Sequence, residues 1–137
     1  MGADKEKTMC GNGLVHEHLS GSIIGAAMSV LNELKPGLDE KLYENALVIE
    51  LQERGHKVEQ QRRFPVHYDG QLIGTLIPDL IVDGLVIADP KVVSEFTDTH
   101  IAQMLGYLAI SELELALLLS FKHAKLDWRR VARSKER

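Results

Sequence analysis

Two acidic residues and a lysine carry the strongest chemical pattern in the chain. Pro78-Asp79 is followed, after nine residues, by Asp89-Pro90-Lys91. A Mg2+ or Mn2+ ion needs only one or two protein carboxylates when phosphate and water supply the other oxygens. Asp79 and Asp89 are the candidate ligands. A cation held there polarises a phosphoryl oxygen and lowers the pKa of a bound water, while a nearby ammonium offsets the charge that builds on the phosphate. Lys91 is the candidate ammonium. The competing explanation is structural: Asp79 starts a strand and Asp89-Pro90 ends one.

The elements that must position these groups can be read along the chain. Leu19, Ile23, Ala27, Val30 or Leu31, and Leu34 recur at helical spacing, which predicts a first helix over about 14–34, stopped at Pro36-Gly37. A second helix is expected over about 38–54, with Leu42, Ala46, Leu47, Ile49 and Leu51 as a broad apolar face and Gly55 at its end. Extended segments follow at 58–61, 64–68 and 72–76, with Asp69-Gly70 as a hairpin signal. Strands over 80–82 and 85–88 flank a second Asp-Gly pair, and both of their faces are apolar, as in strands covered on both sides. A third helix is expected over about 97–111 and another buried strand over 114–121.

The turn at Asp83-Gly84 controls the chemistry. With a two-residue loop, Val82 faces Leu85 and alternation puts Asp79 and Asp89 on opposite sides of the sheet. With Val82-Asp83-Gly84 as a three-residue loop and Gly84 left-handed at a bulge, Ile81 faces Leu85 and Asp79, Asp89 and Lys91 share one face. Both turns suit the sequence, and the cation site requires the second.

Composition sets the outer bounds. The 137 residues suit one domain, and 45% apolar with 26% charged residues indicates a globular chain. No apolar run reaches the length of a membrane span, and residues 1–12 carry no secretory apolar stretch. A cytoplasmic or other reducing intracellular setting is expected. Cys10, the single cysteine, has no internal disulfide partner and lies in an expected disordered leader, 1–13. The six histidines are scattered, and His16-x-His18 has no further ligand at zinc spacing. A net charge of −4 argues against indiscriminate binding to a phosphate backbone. The charge is uneven, however: Lys122, Lys125, Arg129, Arg130, Arg133, Lys135 and Arg137 face only Asp127 and Glu136. Arg129, Arg130 and Arg133 are candidate nucleic-acid contacts; a solvated, frayed terminus, 134–137 at its end, is the plainer reading.

Gly37-Leu38-Asp39-Glu40-Lys41-Leu42-Tyr43, followed by Ala46-Leu47 and Glu50-Leu51, resembles the signature of the GxxExxY proteins, of the PD-(D/E)XK nuclease-like superfamily. The resemblance continues through Tyr68-Asp69-Gly70, Asp79-Leu80-Ile81-Val82, Lys91, Gln103 and Tyr107-Leu108, and covers roughly residues 19–133. It implies a single α/β domain, 14–133, with a central mixed sheet flanked by helices. It also implies a site made from a helix glutamate, Glu40, with Asp79, the acid-x-Lys strand and Gln103. Glu40 is then a third metal ligand, and Gln103 a catalytic residue. Tyr43 lies three residues after Glu40, and His100, Gln103 and Tyr107 form one polar stripe on the third helix; these two tyrosines and His100 are the supporting candidates. A partly exposed helix face explains the stripe equally well.

The chain departs from the family pattern at three places. Ala88-Asp89-Pro90-Lys91 stands where apolar-Glu-apolar-Lys is common, Ser29 where Glu is common, and Ser120-Phe121-Lys122 where Asn-Phe-Gly is common. Asp is shorter than Glu by roughly 1.5 Å, one carbon–carbon bond, and proline is normally excluded from central strands except at ends and bulges. Two functions follow: a Mg2+- or Mn2+-dependent phosphodiesterase acting on DNA or RNA, or a nuclease-fold module that binds or assembles without turnover. A homodimer is compatible with the small size, though no heptad seam specifies it.

Overall fold

The computed structural model describes residues 14–133; the expected leader and the last four residues lie outside them, as does Cys10. Three helices and seven strands follow one another as α1 (Glu17–Leu34), α2 (Glu40–Glu53), β1 (Val58–Gln60), β2 (Phe64–Tyr68), β3 (Gln71–Leu76), β4 (Leu80–Val82), β5 (Val86–Lys91), α3 (Asp98–Ser111), β6 (Leu115–Ser120) and β7 (Asp127–Ala132). Five strands form a sheet in the order β1-β4-β5-β6-β7, and β2 and β3 make a separate hairpin. Only β5 and β6 run parallel, and the chain between them contains α3. The result is a single α/β domain with a central mixed sheet flanked by helices.

Alternation along the strands divides the core in two. Leu80, Val82, Val86, Ala88, Leu115, Leu117 and Leu119 pack with α1 and α2 through Ile23, Ala27, Tyr43, Leu47 and Leu51. Ile81, Ile87, Ala116, Leu118 and Val131 pack with α3 through Met104 and Leu108. Strands β4, β5 and β6 are therefore apolar on both sides, as expected for the interior of a layered sheet.

Two expectations need correction here. Leu42 and Ile49 are 50% and 57% exposed, so the buried face of α2 is Tyr43, Leu47 and Leu51, rotated away from the broader stripe inferred from apolar spacing. The basic segment after Lys122 contains β7, an edge strand paired to β6 along its full length. Its buried residues are Trp128 and Val131, on opposite faces. Two apolar residues spaced by three do not alternate simply, and five nearby basic residues mask the pattern.

The α1–α2 connection is fixed by one side chain. The Tyr43 hydroxyl donates to the Lys35 carbonyl at 2.6 Å and accepts from the Leu38 amide at 3.1 Å. Its ring stacks on Phe121 with centroids 4.7 Å apart. At the start of α3, Thr97 Oγ1 accepts from the His100 amide and His100 Nδ1 accepts from the Thr97 amide, a reciprocal cap.

Candidate functional site

The β4–β5 turn decides the placement of the two aspartates. Asp83 and Gly84 both have left-handed φ, 54° and 69°, as in the mirror-image turns that suit hairpins. Leu85 N–H closes the turn on the Val82 carbonyl at 3.0 Å. The ladder nevertheless resumes with Val82 opposite Val86, Ile81 opposite Ile87 and Leu80 opposite Ala88, so Leu85 is an extra residue. Neither expected pairing, Val82 with Leu85 or Ile81 with Leu85, occurs. The three-residue loop is 83–85, one position later than the cation site suggested, and its parity has the same consequence: Asp79 falls level with Asp89 on the α3 face.

The pair meets where the ladder ends. Beyond Leu80 the chain leaves the sheet, and the Asp79 carbonyl accepts from the Gln61 amide at 3.0 Å. Asp89 is only 5% exposed. Its carboxyl is pushed up to about 7, first by burial and then by the adjoining Asp79 carboxyl, with which it shares hydrogen-bonding distance; Lys91 opposes the rise. Lys91 Nζ lies 3.5 Å from Asp89 Oδ2. Pro90 is accommodated because β4 has already left: its last paired residue is level with Ala88.

The other polar groups have different surroundings. Ser20, Glu44, Asp89 and Ser120 are the buried polar side chains among the described residues. Ser20 bonds the Glu17 carbonyl and Arg130, Glu44 meets Lys41 and Gln60, and Ser120 bonds both backbone groups of Val93. Each of these three joins elements of the fold. Asp89 faces an acid and an ammonium instead, an arrangement that a packed core gains nothing from.

Glu40 stands at the rim. Partial burial raises its pKa, Lys91 lowers it, Asp79 raises it, and the Val92 amide donates to it and lowers it. It is thus a neighbour of Asp79 and Lys91, anchored to the chain just beyond β5. From α3, Tyr107 has its pKa raised by burial and then by the charges of Asp89 and Asp79, and Gln103 Nε2 donates to its hydroxyl at 3.3 Å. Gln103 and Tyr107 therefore overlook the aspartate pair from the facing helix. Tyr43 and His100 are engaged differently: the Tyr43 hydroxyl is taken up by the α1–α2 connection, and His100 Nδ1 by the α3 cap.

The three arginines do not form a common stripe. Arg130 points to the α1 side, where Nη1 bonds Ser20 Oγ at 2.7 Å and Nη2 bonds the Val15 carbonyl at 2.7 Å. Arg129 lies on the opposite side of the strand. It pairs with Leu118, which pairs with Asp89, so Arg129 is exposed in the same transverse row as the acidic pair. Arg133 ends the described chain, its amide bonded to the Glu114 carbonyl at 2.9 Å.

Residues 17–131 match the PD-(D/E)XK nuclease superfamily. The chain belongs to that superfamily. Two solved structures resemble this PD-(D/E)XK chain at 12% identity: the alkaline exonuclease LHK-Exo from Laribacter hongkongensis, TM-score 0.47, over 79% of this chain and 76% of that one, and LHK-Exo in complex with dAMP, TM-score 0.48, over 84% and 83%. No curated protein matches. Among the described residues of this superfamily member, no three His, Cys, Asp or Glu side chains are grouped to hold a metal ion, so the Glu40–Asp79–Asp89 ligand trio is not assembled. The two-carboxylate donor set does suit a hard divalent cation with few protein ligands. A cation could replace the proton that the crowded acids retain. No described helix is long and apolar enough to cross a membrane.

Sequence reasoning missed two contributors to this end of the sheet. Glu44 follows Glu40 by four residues, so helical spacing alone would have placed it on the same face. The Val92 amide that anchors Glu40 carries no side-chain signal.

Proposed function

We propose that this chain is a Mg2+- or Mn2+-dependent phosphodiesterase acting on DNA or RNA, with Asp79 and Asp89 as the metal ligands. The observation behind this reading is the abutting pair of acids, one buried and raised to about 7, with an ammonium 3.5 Å away. Paired titratable groups with perturbed values concentrate at functional sites. The spacing of Gly37, Glu40 and Tyr43 supports the narrower GxxExxY assignment. A divalent ion bound by the two aspartates would polarise a phosphoryl oxygen and acidify a coordinated water.

The chain's own groups supply the rest. Lys91 offsets the charge that develops on the phosphate or orients the attacking water. Gln103 and Tyr107, facing the pair from α3, position water or phosphate by hydrogen bonds, and Glu40 contributes negative charge at the rim. Arg129 offers an exposed cation to the nucleic-acid backbone on the same sheet face. The setting is cytoplasmic or another reducing compartment.

A second reading, a nuclease-fold module without turnover, draws on the lack of a third grouped ligand among the described residues and on Asp89 being already paired with Lys91. The two are separated with labelled single-stranded DNA, duplex DNA and RNA in millimolar Mn2+. Cleavage by the wild-type protein that falls by about 100-fold or more in Asp79→Asn and in Lys91→Ala, with affinity nearly retained, supports the enzyme. Binding to these substrates without cleavage supports the module.

A further inference from the structure

Far from the aspartate pair, at the opposite end of β4 and β5, three side chains from separate parts of the sequence are joined in a line. Ser22 Oγ lies 2.8 Å from His56 Nε2, and His56 Nδ1 lies 2.8 Å from Asp83 Oδ2. The other carboxylate oxygen, Oδ1, accepts from the Lys57 amide at 2.8 Å. Ser22 comes from α1, His56 from the link between α2 and β1, and Asp83 from the β4–β5 turn. From this geometry we infer that Ser22 is an activated nucleophile, with His56 as its general base and Asp83 as the group that orients the base, able to accept an acyl group from an activated ester.

The hydrogen bonds assign the roles. The carboxylate of Asp83 is held below its ordinary value: desolvation, the largest single influence, raises it, but the Lys57 amide and the hydrogen bond and charge of His56 together lower it by more. An ionised Asp83 can only accept, so Nδ1 of the ring donates to it, and the tautomer that carries its proton on Nδ1 leaves Nε2 to accept from the serine hydroxyl. This is the nucleophile, base and orienting-group geometry by which serine chemistry is recognised on unrelated folds. Ser22 is half-buried and His56 likewise, so neither residue is sealed from solvent.

In the step, Ser22 Oγ bonds to the ester carbonyl carbon while its proton passes to His56 Nε2. The carbon–oxygen bond to the leaving alcohol then breaks, and His56 returns the proton to the departing oxygen. Charge on the carbonyl oxygen needs a donor, and here the site differs from efficient hydrolases. Ser22 lies inside α1, where amides are committed to the helix ladder. The cation on this stretch of α1 is Arg54, whose Nη2 bonds Ser29 Oγ at 2.9 Å and lies 3.5 Å from the Gly25 carbonyl. Nη1 approaches to 3.2 Å of the point where a Cβ on Gly25 would stand, so the glycine leaves room for the guanidinium roughly one turn along from Ser22. Arg54 is also paired to Glu50 at 2.9 Å, which weakens it as a charge donor. Loss of one well-placed oxyanion donor costs about 10²–10³ in rate in both acylation and deacylation; the good leaving group of an activated ester offsets this in acylation alone, so the acyl-serine accumulates.

The test uses p-nitrophenyl acetate with the full chain and follows nitrophenolate release, intact mass and peptide mapping. The expected result is one acetyl per chain on Ser22, formed with a burst of one nitrophenolate, with acetylation at least about 100-fold slower in His56→Asn. Asparagine retains an N–H for Asp83 but supplies no base. Asp83→Asn should also slow acetylation by about 10-fold or more, since a neutral amide no longer fixes the ring's tautomer. Ser29, on the same helix and bonded to Arg54, is an internal comparison that needs no variant. Ser22 acetylated no faster than Ser29 in the wild-type protein, or an unchanged rate in a folded His56→Asn, overturns the inference and leaves the triad as a clamp between α1 and the β4–β5 turn. The outcome does not depend on metal and is separate from the fate of the phosphodiesterase proposal.

Discussion

Asp89→Asn is the most informative single change, because the cost of ionising Asp89 depends on pH in a calculable way. The residue's ordinary pKa is 3.8, and in the folded chain it rises to about 7. A carboxyl with a raised folded value binds more protons folded than unfolded throughout that window, so stability falls as pH rises through it. Each pH unit is worth about 1.4 kcal/mol, and the window from 3.8 to about 7 therefore gives a loss on the order of 4 kcal/mol. Asparagine does not titrate. The attraction of Lys91 for the ionised carboxylate is already contained in the net rise, so its loss needs no separate allowance. The wild-type and Asp89→Asn stabilities, measured by urea unfolding from pH 4 to pH 8.5, should thus diverge in favour of the variant by about 4 kcal/mol, mostly below pH 7. Because the acids interact, the window belongs to the Asp79–Asp89 pair, and Asp79→Asn should flatten part of the same slope. Saturating Mg2+ should flatten it too, since a cation displaces the retained proton. A stability difference independent of pH would refute the burial and crowding assigned to Asp89.

Two other substitutions probe the surrounding fold. Tyr43→Phe should keep the Phe121 stack but lose both bonds at the α1–α2 connection, costing about 1–3 kcal/mol in urea unfolding; an unchanged midpoint would mean that the hydroxyl does not hold that connection. Arg130→Ala should lower stability by about 1–3 kcal/mol through its lost bonds to Ser20 and Val15, while Arg129→Ala should leave stability nearly unchanged and weaken nucleic-acid binding. The check is the salt dependence of affinity, whose log–log slope should shrink by about one for Arg129→Ala; equal effects from both arginines would contradict their placement on opposite faces.

What was legible in the sequence was the order of elements from α1 to β6; the shared face of Asp79 and Asp89 followed only from requiring a cation site. The exact pairing was not. Asp83-Gly84 supplies the left-handed pair that a two-residue hairpin needs, yet accepting that signal alone would have put the aspartates on opposite faces. The extra residue, Leu85, restores parity, and its apolar side chain carries no mark of a bulge; it is 43% exposed although it reads as a strand residue. Tyr43 illustrates a different limit. Helical spacing from Glu40 suggested a shared face, but an aromatic ring is pulled into the core when a partner such as Phe121 is in place, and its hydroxyl then serves the backbone. The strand at 127–132 was obscured because its basic residues serve separate ends: Arg130 ties down α1, whereas Arg129 remains exposed. Their charges are alike in sequence and their surroundings are not.

The departures near Asp89 form one arrangement. A shorter acid in place of glutamate keeps the carboxyl close to β5, within reach of Lys91 and Asp79, and Pro90 falls where β4 has stopped pairing. The Val92 amide meanwhile holds Glu40 at the rim. Two carboxyls thus share a single ammonium, with Glu40 near enough to feel their charge but not grouped with them, and burial acts against full ionisation. A proton on the aspartate pair relieves that imbalance, and a divalent cation would relieve it further by satisfying both carboxylates at once. If the proposed cation binds there, it competes with the retained proton for the same two side chains, and affinity for Mg2+ should rise with pH up to about 7 and level off above it. Isothermal titration at pH 6 and pH 8 measures this directly, with proton release at the lower pH and little at the higher. Equal affinity and no proton release at pH 6 would separate the metal from the aspartate pair.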